Sequence, residues 1–347
     1  MKKIIPLSAL LMFVFLNAYS QIIDYTKLDS AISKVDKIIE TDSRIFFKNV
    51  ESMILYSQGK IIFEKYYNGA CKDSLHQIQS QTKSITGILT GIAIDKGFIK
   101  SENETVASFF PEYFNNDDLL KASLKIKDLL TMSAGLKWKE LALPYNDPEN
   151  DNMNMFNSGK YLEYVLSQPM EKKPFTEFKY NSGCPMIIAA IIEKSSNMPL
   201  DKFAEKYLFK PLDIADYDWL KDLTGLCHAG GGLNLKPSDM LKIGVMILNK
   251  GIWNDNRIVS EEWINKSTQS YFQTSLDISG YGFFIWIREM PVNENKTTKV
   301  ISAEGAGGQK LYIFPEYNLV ISFTERNYTT PQVSPIFIKD SVLPCLQ

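Results

Sequence analysis

The chain has 347 residues, enough to bury a sizeable core in one large domain or two closely joined ones. Its 38 Lys and Arg against 40 Asp and Glu leave a net charge of -2. That balance excludes the extended basic face of a nucleic-acid binder and the polyacidic tail of a solvating segment, so small, near-neutral molecules are the expected partners. The only histidines are His76 and His228 and no CxxC or HExxH pattern occurs, so neither a metal nor another cofactor is expected.

The chain opens with MKKIIPLSALLMFVFLNAYSQ, in which Lys2 and Lys3 precede an apolar run over residues 4–16 and then Ala18-Tyr19-Ser20. This is the pattern of a secretory signal peptide over residues 1–20. The run is shorter than the roughly 20 residues that a spanning helix needs. Residues 21–347 are therefore expected to be exported, periplasmic or secreted, with no integral membrane anchor after the leader is removed. Cys71, Cys184, Cys227 and Cys345 are too widely spaced to show a disulfide framework. Their three possible pairings stay open, Cys71 with Cys345 first among them.

Residues 28–39 predict an amphipathic helix. SMILYSQGKIIFEKYY, residues 52–67, predicts two β-branched and aromatic strands joined at Gln58-Gly59. From Ser80 the period changes: Ile85, Ile88, Leu89 and Ile92 fall on one helical face, and Gly97 marks the stop. Helices are predicted over residues 126–132, 161–166, 186–194, 200–208 and 237–248, the last with Pro237 at its first position and Asp239 in its first turn. Strand patterns return over residues 280–290, 299–308, 312–314 and 319–323. Strands at both ends and helices between them predict an α/β (α+β) fold. Its antiparallel sheet is built from the two terminal segments, flanked by helices, with a large all-helical insertion. The sheet part takes residues 21–75 and 280–347, the insertion residues 76–279, and a cleft should lie between them.

Ser-x-x-Lys occurs twice. Ser57 to Lys60 spans the hairpin turn, where a polar loop is the expected reading. Ser80 to Lys83 opens a helix, so the two side chains share one face, about 5–6 Å apart at Cβ. A serine there also meets free N–H groups and the positive end of the helix dipole, which favour developing negative charge. A hydroxyl needs a neighbour to take its proton, and a lysine can do so only when burial or nearby cations lower its pKa. The bland alternative is a helix-capping serine beside a solvated lysine.

Further segments resolve that choice through a resemblance. SQTKSITGILTGIAIDKG, IKDLLTMSAGLKW, FKYNSG, AGGGLNLKPSDMLKIG and EGAGGQ, in this order, resemble the landmarks of the serine β-lactamase and penicillin-binding-protein superfamily, in its class-C-like branch of esterases and amide hydrolases. The resemblance spans nearly all of residues 21–347. It implies a β-lactamase/transpeptidase-like fold in which Ser80 is the nucleophile, Lys83 its proton acceptor and Tyr180 a proton shuttle towards the leaving group. Ser182 is implied to donate to the substrate carbonyl or to orient Lys83. The strand end Gly305-Ala306-Gly307 would face the nucleophile, with the Ala306 N–H as second oxyanion donor beside that of Ser80.

The sequence departs from the best-known relatives at this strand. Where they carry Lys-Thr-Gly or His-x-Gly, this chain has Ala303-Glu304-Gly305-Ala306-Gly307-Gly308-Gln309, without a cation. That favours an esterase or small amide hydrolase over an efficient β-lactamase, although Lys310 is close enough in sequence to anchor a carboxylate. His228-Ala229-Gly230 matches His-x-Gly in letters only, and His76 is expected to be a structural or rim residue. Trp138 and Tyr145 either line the pocket or pack, and the loops at residues 139–158 and 267–279 should set specificity. The competing readings are a penicillin-binding or cell-wall-peptide-binding protein that acylates slowly or not at all, and a true class-C-like β-lactamase.

Overall fold

The computed structural model describes residues 22–347 apart from 115–117, 142 and 275–278; the leader expected at residues 1–20 and parts of both specificity loops lie outside this set. Strands β1 (Val50–Ser57) and β2 (Lys60–Tyr66) form the expected hairpin. Gln58 and Gly59 both take positive φ, 49° and 84°, as a two-residue primed turn requires. Ser57 closes β1 as a buried residue whose hydroxyl meets that of Tyr25 at 2.8 Å, so the first Ser-x-x-Lys copy is structural.

Short strands follow within the middle of the chain: β3 (His76–Gln77), β4 (Asp218–Trp219), β5 (Leu233–Leu235), β6 (Ile252–Trp253) and β7 (Asn256–Arg257). The main sheet is completed by β8 (Phe272–Gln273), β9 (Gly280–Tyr281), β10 (Trp286–Asn293), β11 (Lys296–Gly305), β12 (Gln309–Phe314) and β13 (Leu319–Glu325). Its order is β2-β1-β13-β12-β11-β10-β9-β8, antiparallel throughout. Both ends of the chain thus supply the sheet, because β1 pairs with β13.

Two sequence expectations change. The insertion is not all-helical: β3, β5 and β4 make a second sheet, and β8 enters the main sheet before residue 280. These strands have two or three residues, too short for a period-2 signal. The run at residues 280–290 is two strands rather than one. Phe284 there takes φ 57°, its N–H donates to Leu130 O at 2.9 Å, and Ser84 Oγ donates to its carbonyl at 2.6 Å.

Each face of the main sheet carries its own core. Met53, Leu55, Tyr312, Phe314, Ile321 and Phe323 pack with Leu28, Ile32 and Ile39 of the Tyr25–Thr41 helix and with Val333 and Phe337 near the C-terminus. Ile54, Leu311, Ile313 and Val320 alternate to the opposite face. There the Pro237–Leu248 helix lies on the strands so closely that a Cβ on Gly244 would sit 2.7 Å from Val320 Cγ1. That helix covers the sheet instead of belonging to a separate helical unit. The Gln81–Asp95 helix has 13 of its residues buried, so it is enclosed nearly all round rather than on one face. Gly91 makes this possible, since the Trp263 indole occupies the place its Cβ would take and donates to Gly87 O at 3.0 Å.

Candidate active site

Ser80 is placed by its neighbours on three sides. Pairing of His76 with Leu235 and donation from Ile78 N to Leu233 O at 3.0 Å fix the incoming segment. Gln81 Nε2 reaches Ala303 O at 3.2 Å, tying the start of the helix to β11. Gly305 has no room for a side chain, because a Cβ would lie 2.4 Å from Ile78 O. The strand end therefore touches the backbone just before Ser80. Gln79 is held left-handed at φ 51°, which turns the chain sharply into the helix.

Ser80 stands at the N-cap position without using its hydroxyl as a cap. Lys83 Nζ instead donates to Ser80 Oγ at 2.9 Å and to Gly230 O at 2.6 Å. Lys83 is only 2% exposed, and burial pulls its amine down to about 8, against a smaller opposing pull from Glu140. The amine lies 4.9 Å from the centre of the Tyr180 ring. Burial, then the nearby Glu140 charge, push the phenol well above its usual range, so Tyr180 is a neutral hydroxyl at physiological pH. Trp286 stacks on it with centroids 6.1 Å apart. The structure thus brings Ser80, Lys83 and Tyr180 together from positions up to 100 residues apart.

Ala306 follows β11 and lines the same cavity as Ser80, a space of about 340 Å³. Among the described residues no intramolecular acceptor takes up the N–H of Ser80 or of Ala306. Gly305 ends β11, and Gly307 turns the chain at φ 80°, where the Tyr328 ring fills the space its Cβ would need. Backbone donors on rigid elements facing one serine suit an oxyanion.

Several side chains do something other than the sequence suggests. Ser182 lines the cavity, but its hydroxyl donates to Glu140 Oε1 at 2.6 Å and its N–H to Glu140 Oε2 at 2.8 Å. Its proton is committed there, and Gly230 O, not Ser182, orients Lys83. Trp138 is buried and donates to the same carboxylate at 2.8 Å, whereas Tyr145 lines the cavity. Lys310 anchors nothing in the cavity: it is buried across from Glu304 in the β11–β12 register and paired with it. Burial pushes Glu304 up, but Lys310 and Arg288 overcome this and hold its carboxyl down at about 2. Both cations are spent on that carboxylate. His228 reaches the cavity, yet burial and the Lys83 charge pull it down to about 4, leaving it neutral beside the Tyr161 ring. His76 is buried against Glu51 at 2.8 Å.

All four cysteines are free, so the Cys71–Cys345 pairing is absent: Cys71 is exposed, and Cys345 is buried with its Sγ on Ser341 O at 3.0 Å. Sequence reasoning missed Glu140, Gly230 and Tyr328. Gly230 had a signal in the His-Ala-Gly triplet, though its carbonyl and not the histidine does the work. Glu140 had none, being one acidic residue in a Lys-Trp-Lys-Glu stretch.

An antiparallel sheet with a serine and lysine at the start of a buried helix, against the end of its strand β11, defines a serine hydrolase of the β-lactamase fold. The sequence matches the Beta-lactamase family over residues 51–334, and the chain belongs to that family. It is 23% identical over 300 residues to the 6-aminohexanoate-dimer hydrolase of Paenarthrobacter ureafaciens, covering 82% of this chain and 74% of that protein. It spans less than half the length of further curated relatives. Solved structures with the same fold include a family VIII carboxylesterase, at TM-score 0.71 and 15% identity over 93% of this chain and 97% of that one. Another is EstCE1, a hydrolase with promiscuous acyltransferase activity, at TM-score 0.72 and 14% identity over 92% and 99%.

Proposed function

We propose that the protein cleaves an ester or amide bond through an acyl-enzyme on Ser80. The neutral form of Lys83 takes the proton from Ser80 Oγ as the oxygen attacks the carbonyl carbon. With its amine at about 8, roughly a tenth of the molecules are in that form at pH 7, enough for catalysis at neutral pH. The N–H groups of Ser80 and Ala306 receive the oxyanion. The Tyr180 hydroxyl passes a proton to the departing alcohol or amine and regains one from Lys83. Water then attacks the acyl carbon by the reverse route. One observation carries this reading: a buried amine with a depressed pKa, 2.9 Å from a serine hydroxyl that is free of any capping duty.

The substrate class follows from the lining. Tyr145, Met153, Phe156 and Leu220 give the cavity apolar and aromatic walls, and His228 in its lining is neutral. Efficient β-lactam turnover is not expected, because Lys310 and Arg288 are both held by Glu304. A simple ester or amide with an apolar part fits better. The relatives named above as a 6-aminohexanoate-dimer hydrolase and as a carboxylesterase support both bond types. The leader-like residues 1–20 support action outside the cytoplasm, testable by fractionation of the full-length protein.

The test is covalent. A fluorophosphonate probe followed by peptide mass spectrometry is expected to label Ser80, and Ser80→Ala to abolish labelling with the circular dichroism spectrum unchanged. Labelling elsewhere, or none, overturns the mechanism. A stable adduct from penicillin together with no turnover of phenyl or naphthyl esters would point to the acylating binding protein instead.

A further inference from the structure

A second cavity, of about 410 Å³, adjoins the catalytic one and shares Gln77 and Tyr328 with it. The wall between them is a small polar lattice. Gln79 Nε2 donates to Gln77 Oε1 at 3.0 Å and to the Tyr328 hydroxyl at 3.2 Å. Gln79 is also the left-handed residue directly before Ser80, so the partition and the nucleophile ride on the same strained turn.

The two chambers differ in chemistry. The catalytic cavity has mostly apolar walls, whereas the annex is polar and built around Glu51, His76 and Arg326. Two buried polar atoms in residues of its wall, His76 Nε2 and Gln309 Oε1, have no hydrogen-bond partner. Groups left so are costly unless a ligand or water completes them. Glu51 is doubly engaged, by His76 Nδ1 at 2.8 Å and by Arg326 Nε at 2.6 Å. Its charge is thereby answered. Arg326 is on an exposed segment after β13, and among the described residues no acceptor meets its Nη groups. They can grip a carboxylate bidentately.

We propose that this annex is a substrate subsite that takes a terminal carboxylate through Arg326, while the apolar part of the same molecule occupies the catalytic cavity. The inference rests on the hydrolase reading and deepens it. The cations beside the catalytic strand are locked on Glu304, so recognition of a charged end passes to a guanidinium beyond the Gln77–Gln79–Tyr328 partition. The favoured substrate is thus an ester or amide with an apolar portion and a carboxylate at one end, as in an N-acyl amino acid or the ester of a hydroxy acid.

Two matched pairs of esters test this. One pair carries the carboxylate on the alcohol side: phenylacetate esters of glycolic acid and of 2-methoxyethanol. The other carries it on the acyl side: phenyl esters of succinic acid and of monomethyl succinate. In one pair the carboxylate member is expected to have a kcat/KM at least about fivefold higher, chiefly through KM, the size of one charge-assisted contact in a partly exposed site. Arg326→Ala and Arg326→Gln should each remove that gain while leaving kcat/KM on the neutral partner within about twofold, which also verifies the fold. No preference in either pair, or a preference that survives both substitutions, overturns the subsite. If no ester is turned over and the fluorophosphonate leaves Ser80 unlabelled, the hydrolase reading fails by itself. The subsite is then judged by calorimetric titration with N-phenylacetylglycine: binding that Arg326→Ala abolishes supports it, and absent or equal binding overturns it.

Discussion

Replacing Lys83 by methionine separates the function of this side chain from its effect on stability. The amine drops from 10.5 to about 8 on folding because burial disfavours its charge. The gap of about 2.5 pH units corresponds to about 3 kcal/mol at 1.36 kcal/mol per unit. Since the folded value lies below the unfolded one, the penalty is present in full below about pH 8 and disappears as pH rises to 10.5. Methionine keeps the buried stem and removes the charge. It also deprives Gly230 O and Ser80 Oγ of a donor, at a cost of about 1–2 kcal/mol. At pH 7 the variant should therefore be about 1–2 kcal/mol more stable than the parent, and by pH 10.5 less stable. Hydrolysis should fall about 100-fold to 10,000-fold. Urea unfolding followed by the fluorescence of the 5 tryptophans, at several pH values from 7 to 10.5, reads the difference between the two proteins, in which other titrations cancel. A stability difference that stays constant over this range would refute the burial argument and with it the case for Lys83 as base.

Glu140→Gln keeps an acceptor for Ser182 and Trp138 but removes the negative charge that favours the Lys83 ammonium. The acid limb of the kcat/KM pH profile should move to lower pH; a limb that stays in place would make Glu140 merely structural. Lys310→Met leaves Glu304 with Arg288 and the Ser302 hydroxyl and should cost about 3 kcal/mol in chemical denaturation, because one partner of a buried pair is lost. KM for carboxylate-bearing esters should not change, whereas a rise in KM would return Lys310 to the substrate site. Gly91→Ala places a methyl group 2.1 Å from Trp263 Cδ1 and should destabilise the protein by about 3 kcal/mol, with a changed tryptophan emission spectrum.

Local patterns made much of this protein readable in advance. Short β-branched and aromatic runs marked β1, β2, β12 and β13, and Gln58-Gly59 announced its turn, because these depend on residues within a few positions of one another. Ser80 and Lys83 were legible as a pair for the same reason: a helix brings residues three apart onto one face whatever lies around it. The environment of that pair was not legible. Gly230, which orients the amine, is 147 residues from Lys83, and Glu140, which holds Ser182, is 42 residues away. Both belong to irregular segments in which no period signals a contact. Lys310 shows the limit most clearly, since its charge was plain but only the strand register set it opposite Glu304 and took it from the substrate. Composition and spacing state which groups exist and which near neighbours they keep. Long-range packing decides which charges are buried, which are cancelled and which remain for chemistry, because these depend on distances that the backbone sets only when the sheet closes.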